Sequence, residues 1–231
     1  MTLNDTPSEL HTRIKSFVLR QGRLTQAQEQ ALRELWPHYG LDAQQALDPL
    51  KTFGRAAPLT LEIGFGNGES LARMAAEAPE RDFIGVEVHR PGVGHLLLQL
   101  HERQLNNVRI FCADAVEVMN RVIADASLAG LQVFFPDPWP KKRHHKRRLI
   151  NTEFVALASQ KLEAGGLFHC ATDWEDYAVQ MLDVLGENPA LRNLAGQGQY
   201  SPRPDYRPLT KFESRGHGLG HGVWDLLFVR L

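Results

Sequence analysis

A chain of 231 residues makes one large domain or one domain with a small appendage and excludes two full catalytic domains, while 43% hydrophobic and 23% charged residues exclude a disordered chain. No run approaches the ~18 apolar residues of a membrane span, MTLNDTPSEL lacks the apolar core of a secretion signal, and two cysteines, Cys112 and Cys170, are too few for a disulfide framework and lack metal-ligand spacing. The expectation is a cytoplasmic, metal-free protein away from membranes, with both thiols in its core and a net charge of −1 whose distribution matters more than its sum.

Residues 1–57 contain no strand-like run. RIKSFVLRQG and LTQAQEQALRELW read as short helices, the second with Leu24, Leu32 and Leu35 on a helical period, which predicts an N-terminal helical arm. Arg13, Lys15, Arg20 and Arg23 have no acid among them, as in a solvated helix face or a strip facing RNA. From 58 to 231 short apolar runs alternate with helical patterns. Strands are expected at LTLEIGFG, DFIGVEVH, NVRIFCAD, LQVFFPDP and GLFHCATD, and helices at GESLARMAAEAP, PGVGHLLLQLHERQ, AVEVMNRVIADAS, TEFVALASQKLEAG and EDYAVQMLDVLGEN. A proline-rich loop, YSPRPDYRP, leads to PLTKFESRG and a strand-like HGVWDLLFVRL. This rhythm predicts an α/β domain, a doubly wound, mainly parallel sheet with helices on both faces, whose ligands bind beyond the carboxyl ends of the strands.

Chemistry-bearing residues gather at those ends. Gly64, Gly66 and Gly68 let backbone approach a ligand and leave helix N-terminal amides free. Their G-x-G-x-G spacing fits neither a dinucleotide fingerprint nor a P-loop, and Glu62 beside them can pair with the ammonium of an amino-acid ligand such as S-adenosylmethionine. Glu87 ends the second strand, where an acid can accept from ribose hydroxyls; Asp114 ends the third, as an adenine reader or a helix cap. Three prolines stiffen the turn Pro136–Pro140, presenting Asp137 at a defined place and offering Trp139 as a stacking face. Lys141, Lys142, Arg143, Lys146, Arg147 and Arg148 follow at once, with His144 and His145 between them, and removing these six cations leaves 20 basic residues against 27 acidic. That distribution suits a local polyanion grip. Asp173 adds a rim carboxylate after the fifth strand, or a helix cap, and Thr210, Lys211, Phe212 and Glu213 read as a polar turn.

Together LEIGFGNGES, FIGVEVHRPGVG, FFPDPWPKKRHHKRRL, ATDW and TKFESRGHGLGHGVWDL resemble the bacterial tRNA (guanine-N7-)-methyltransferases, the PDPWPKKRHHKRR and TKFE stretches most specifically. The resemblance spans nearly the whole chain and departs at Gly218, where a basic residue is expected. It implies a class I, Rossmann-like methyltransferase that methylates N7 of a guanine in the tRNA variable loop, guanine 46, from S-adenosylmethionine, as a monomer or homodimer with no second subunit. It places Glu62, Gly64, Gly66, Gly68, Glu87, Asp114 and Asp137 at the methyl donor, with Asp137 also catalytic. Lys141, Asp173 and Thr210 to Glu213 fall at substrate positions, and Arg143 to Arg148 at the RNA. Three other readings compete. An exocyclic-amine methyltransferase would use a permuted form of the PDPW turn, a nicotinamide-dependent dehydrogenase leaves the basic run idle, and a non-catalytic RNA-binding protein leaves the strand-end acids unexplained.

Overall fold

Strands that are mainly apolar on both faces must be covered on both sides, and the computed structural model, which describes residues 14–18, 22–209, 213 and 222–231, meets that demand. Strands β1 (Leu59–Ile63) and β2 (Asp82–Val86) are buried throughout. With β3 (Val108–Phe111), β4 (Leu128–Phe134), β5 (Leu162–Thr172), β6 (Leu191–Asn193) and β7 (Trp224–Arg230) they form a seven-stranded sheet in the order β3-β2-β1-β4-β5-β7-β6. The first five strands pair in parallel, β7 runs antiparallel to β5, and β6 runs antiparallel to β7. Order reverses between β1 and β4, so a crevice opens above their carboxyl ends.

Helices α6 (Ala115–Arg121), α7 (Thr152–Lys161) and α8 (Glu175–Gly186) cover one face, where Met119, Phe154 and Met181 pack with Leu61, Val133 and Phe168. On the other face α1 (Gln26–Glu34), α4 (Glu69–Glu77) and α5 (Arg90–Glu102) bring Ala31, Leu71, Leu96 and Leu97 against Phe83, Val108 and Ile110. The start of α1 is fixed by a capping box: Gln28 N–H donates to Thr25 Oγ1, and Thr25 N–H donates to Gln28 Oε1. Two short helices, α2 (Trp36–Tyr39) and α3 (Pro49–Phe53), and the three-residue β6 carry too little period to be legible in sequence. After α2, Gly40 bridges Ile110 and Leu41 N–H donates to Ile110 O, so the N-terminal segment shields the exposed edge of β3.

Three expectations need correction. RIKSFVLRQG is not a helix over 14–18: this stretch bends without helical hydrogen bonds, because Trp139 Nε1 donates to Ser16 O at 3.0 Å and holds the segment against the PDPWP turn. Arg13 and Arg20 lie outside the described residues, as do Thr210, Lys211, Phe212 and Gly218, whereas Lys15 and Arg23 are exposed. Second, the helix expected to reach Gly165 stops at Lys161, and β5 begins with the next residue. Its Gly165 has φ 82°, outside helical geometry. Third, Cys112 is exposed while Cys170 is buried; Phe111 turns into the core, so the residue after it faces outward. Among the described residues no helix is long and apolar enough to cross a membrane, and no group of three or more His, Cys, Asp or Glu could hold a metal ion.

The first turn of α5 presses on the glycine turn. A Cβ on Gly92 would sit 2.1 Å from Gly66 O, far inside contact distance. Alanine in an open helix gains stability over glycine; here the steric clash reverses the sign. Gly92→Ala is expected to cost about 1–3 kcal/mol. Calorimetric melting should fall by about 2–4 °C for each kcal/mol, and an unchanged melting temperature would show that α5 does not constrain the turn.

Candidate functional site

The turn after β1 needs three left-handed residues within five positions: Gly64, Gly66 and Gly68 have φ of 74°, 57° and 75°. Gly68 also caps α4, and Glu87 holds the turn in place. Gly66 N–H donates to Glu87 Oε2 at 3.0 Å, while Val88 N–H and His89 N–H donate to Oε1 at 2.7 and 2.9 Å. A carboxylate has about four acceptor sites, so Glu87 keeps capacity for a ligand hydroxyl. Glu62 is different. Buried at 3% exposure, it has no hydrogen-bond partner for Oε2, and burial first, with the Glu87 carboxylate second, pushes its carboxyl up to about 8. A buried acid left in this state suits a cationic partner.

One cleft at the strand ends gathers Gly64, Glu87, Asp114 and Asp137, with Ser16 and Phe17 of the N-terminal segment against it. Asp114 also serves as the N-cap of α6, its Oδ1 accepting from Val116 N–H. Asp137 is exposed, on a turn flanked by two non-glycine residues in left-handed conformation, Phe135 at φ 52° and Trp139 at φ 47°. Each costs on the order of 1–3 kcal/mol and needs surroundings that enforce it. Here Phe135 N–H donates to Ala171 O, Arg148 Nε donates to Pro138 O at 2.8 Å, and Trp139 Nε1 donates to Ser16 O. The Trp139 ring has the Arg147 guanidinium 4.9 Å above it and the His144 ring edge-on at 5.9 Å, so its face already has a cationic partner.

The basic run forms a 3-10 segment, Lys142–Arg147, after Lys141. Lys141, Lys142, Arg143 and Lys146 are exposed, while His144, His145 and Arg147 are half-buried. His144 is held below its ordinary pKa by its desolvation and by Arg143, Arg147, Lys141 and Lys146. Arg148 departs from the run: it is 2% exposed and donates to Pro138 O, Gln180 Oε1 and Asp176 Oδ2. Its place in sequence suggests an RNA contact, but its guanidinium points into the protein. Asp173 is exposed at the end of β5 and does not cap α8, whose N-cap is Trp174. Of the TKFE stretch only Glu213 is described; it is 3% exposed and paired with Arg207. Gly64, Glu87, Asp114 and Asp137 therefore line the cleft, whereas Glu62, Gly66, Gly68, Lys141, Asp173 and Glu213 are not among its lining residues.

A family model described as "Putative methyltransferase" matches residues 56–226. The tRNA (guanine-N(7)-)-methyltransferase of Methylococcus capsulatus is 61% identical over 94% of this chain and 94% of its own length. That of Hydrogenovibrio crunogenus is 58% identical over 95% and 92%. The chain belongs to the bacterial tRNA (guanine-N(7)-)-methyltransferase family. Among solved structures, the 16S rRNA methyltransferase KamB matches with a TM-score of 0.52 and 15% identity, covering 81% of this chain and 96% of that one. The aminoglycoside resistance methyltransferase NpmB1 matches with a TM-score of 0.51 and 14% identity over 91% and 95%. At such identity these two show the common class I methyltransferase fold.

In this methyltransferase-family chain two arginines prove central that charge patterning alone misplaces or passes over. Arg148 hides within a run of surface cations. Arg207 sits in a proline-rich loop, and only its 1% exposure and its two carboxylate partners, Glu213 and Asp225, reveal it. No sequence signal distinguishes it from Arg203 nearby.

Glu62 yields a test. Its folded carboxyl keeps a proton to a higher pH than its unfolded one, so the unfolded chain ionises first as pH rises. The favourable term is complete below about 4.5 and is lost on the way up to about 8. Protein without ligand should therefore melt progressively lower across that window, and Glu62→Gln should flatten the profile, gaining on the order of a few kcal/mol at its alkaline end. Melting curves against pH decide it; parallel profiles would mean that Glu62 is solvated or paired.

Proposed function

We propose that this chain transfers a methyl group from S-adenosylmethionine to N7 of a guanine in tRNA, guanine 46 of the variable loop, acting in the cytoplasm as a monomer or homodimer. In this reading residues 1–57 form an arm on the methyltransferase domain, 58–231. The observation that carries it is the convergence of Gly64, Glu87, Asp114 and Asp137 on one cleft, with a cationic segment starting four residues after Asp137. The names of the two relatives supply the substrate and the atom.

S-adenosylmethionine, when bound, supplies a methyl group on a sulfonium carrying positive charge. Glu62, whose buried Oε2 lacks a partner, receives the ammonium of its amino-acid end. Glu87 accepts from the ribose hydroxyls, and Asp114 faces the adenine edge. Lys141, Asp173 and Thr210 to Phe212 hold the substrate guanosine, Glu213 being buried against Arg207, and the cations from Arg143 to Arg147 meet the phosphates.

Guanine N7 has a lone pair and no proton, so its attack needs no general base. The protein's task is alignment, which is the largest contribution such a site can make. As N7 is alkylated the base becomes cationic. Asp137, fixed by the strained turn, offsets that charge from a preorganised position. Its exposure leaves it accessible to a base delivered by the neighbouring segment.

Two kinds of measurement test this reading, of activity and of RNA binding. Incubation with labelled methyl donor and bulk tRNA, followed by nucleoside analysis, should give 7-methylguanosine. In single turnover with both substrates saturating, Asp137→Asn should lose about ten- to thousandfold in rate while keeping tRNA affinity; a small loss confined to affinity would instead make Asp137 an orienting acceptor. The second measurement separates the outward cations from Arg148. Neutralising Arg143, Lys146 and Arg147 together should reduce the slope of log affinity against log salt by roughly 0.7–0.9 for each phosphate no longer neutralised. Arg148→Met should leave that slope unchanged and cost about 1–3 kcal/mol of stability, because Pro138 O and Gln180 lose a donor.

A further inference from the structure

Away from the rim, a second cavity opens on the sheet beside α4, and the proposed function leaves it unused. It holds about 330 Å³, against about 210 Å³ for the cleft at the strand ends, and the two share no lining residue. Its floor is two rows of the sheet. Phe83, Thr60, Gly130 and Leu167 are register neighbours across β2, β1, β4 and β5, and Gln132 and His169 follow two residues nearer the rim. Met74 of α4 and Tyr206 of the proline-rich loop border the space, and Gly130 contributes no side chain to fill it.

Most polar groups here are already engaged. Arg81 Nη2 donates to Thr60 Oγ1 at 3.2 Å. His169 is 1% exposed, with Nε2 facing Asp225 Oδ1 at 2.7 Å and Nδ1 facing the Tyr206 hydroxyl at 2.9 Å. Since a carboxylate only accepts, the neutral ring donates from Nε2 and accepts at Nδ1 from Tyr206. Gln132 is the exception. It is 8% exposed, and its buried Oε1 has no hydrogen-bond partner. An unpaired amide oxygen is costly in a core, and an apolar side chain would serve packing at this register better.

We propose that this cavity is a second small-ligand site, which takes a free nucleobase or nucleoside. A carboxamide presents an acceptor beside a donor, the pattern with which glutamine pairs to the amine and ring nitrogen of adenine. The terminal torsion of glutamine is soft, so the amide swings to meet such an edge. Phe83 and Met74 supply aromatic and thioether contact for the ring. The volume lies within the about 300–1,000 Å³ usual for small-molecule sites. Arg81 is offset at the border by Glu77 and Glu80, so the site lacks the cationic excess that a nucleic-acid strand requires, and an uncharged ligand fits it.

The test uses the full-length protein saturated with S-adenosylhomocysteine, which fills the donor site, and adenosine as the probe. Ligand-observed NMR titration should show saturable binding at one site. Adenosine dimethylated on its exocyclic amine keeps the ring but lacks the N–H donor, and it should bind about tenfold more weakly. Gln132→Leu removes the amide at similar size and should weaken adenosine binding by about the same factor, with a melting temperature that holds or rises. Leu167→Trp, at a half-buried border position, should abolish binding by filling the space. The two wild-type titrations decide the matter even if a variant fails to fold. Absence of saturable adenosine binding, equal binding of the dimethylated analogue, or binding that survives both substitutions would overturn the site.

Discussion

The site depends on how the PDPWP turn is held. Prolines restrict its backbone, yet they do not account for Phe135 and Trp139 in left-handed geometry on either side of Asp137. That geometry persists because the surroundings impose it. Arg148 donates to the turn's Pro138 carbonyl, stacks 4.8 Å over Tyr177, and is itself fixed by Gln180 and Asp176 of α8. Ala171 of β5 accepts from Phe135 N–H, and Arg207 approaches the ring of the same residue. Two buried cations thus brace the strained turn, and helix α8 and strand β5 tie it to the core.

The same demand explains why the sheet's interior is polar in one row. Glu62 on β1 pairs in register with Gln132 on β4, and Gln132 with His169 on β5. All three are buried. They run across the sheet from the glycine turn to the Asp225–Arg207–Glu213 cluster. Such a row would be costly in an ordinary core, and two of its oxygens, Glu62 Oε2 and Gln132 Oε1, have no partner. Its donor-side end is proposed to gain a cationic ligand, and its other end is already saturated by Arg207.

Charge is divided accordingly. Lys141, Lys142, Arg143 and Lys146 stay exposed on the 3-10 segment, where they can meet a polyanion without desolvation cost. Arg148 and Arg207 are dry and fully paired, and their contribution is orientation. The Trp139 indole stands between the two groups. It carries Arg147 on its ring and the backbone of Ser16 on its N–H, so the N-terminal segment, the turn and the basic run meet at one side chain.

Much of this was legible in sequence. Mainly apolar strands alternating with helices of 3.6-residue period force a mainly parallel sheet covered on both faces, and the glycine turn, Glu87, Asp114 and Asp137 fall at strand ends whatever the details of packing. Those features are local, set by backbone conformation and solvent exclusion over a few residues. Over 14–18 the helix expected at RIKSFVLRQG is absent, and Ser16 O there accepts from a tryptophan more than a hundred residues away. The inward turn of Arg148 and the buried role of Arg207 are invisible for the same reason: an arginine is amphipathic enough for either environment, and which one it takes depends on whether carboxylates and carbonyls from other strands converge on it. By itself the sequence determined the sheet, the crevice and which acids stand at its rim; only the tertiary structure decided which cations face outward and which turn inward to hold that rim in place.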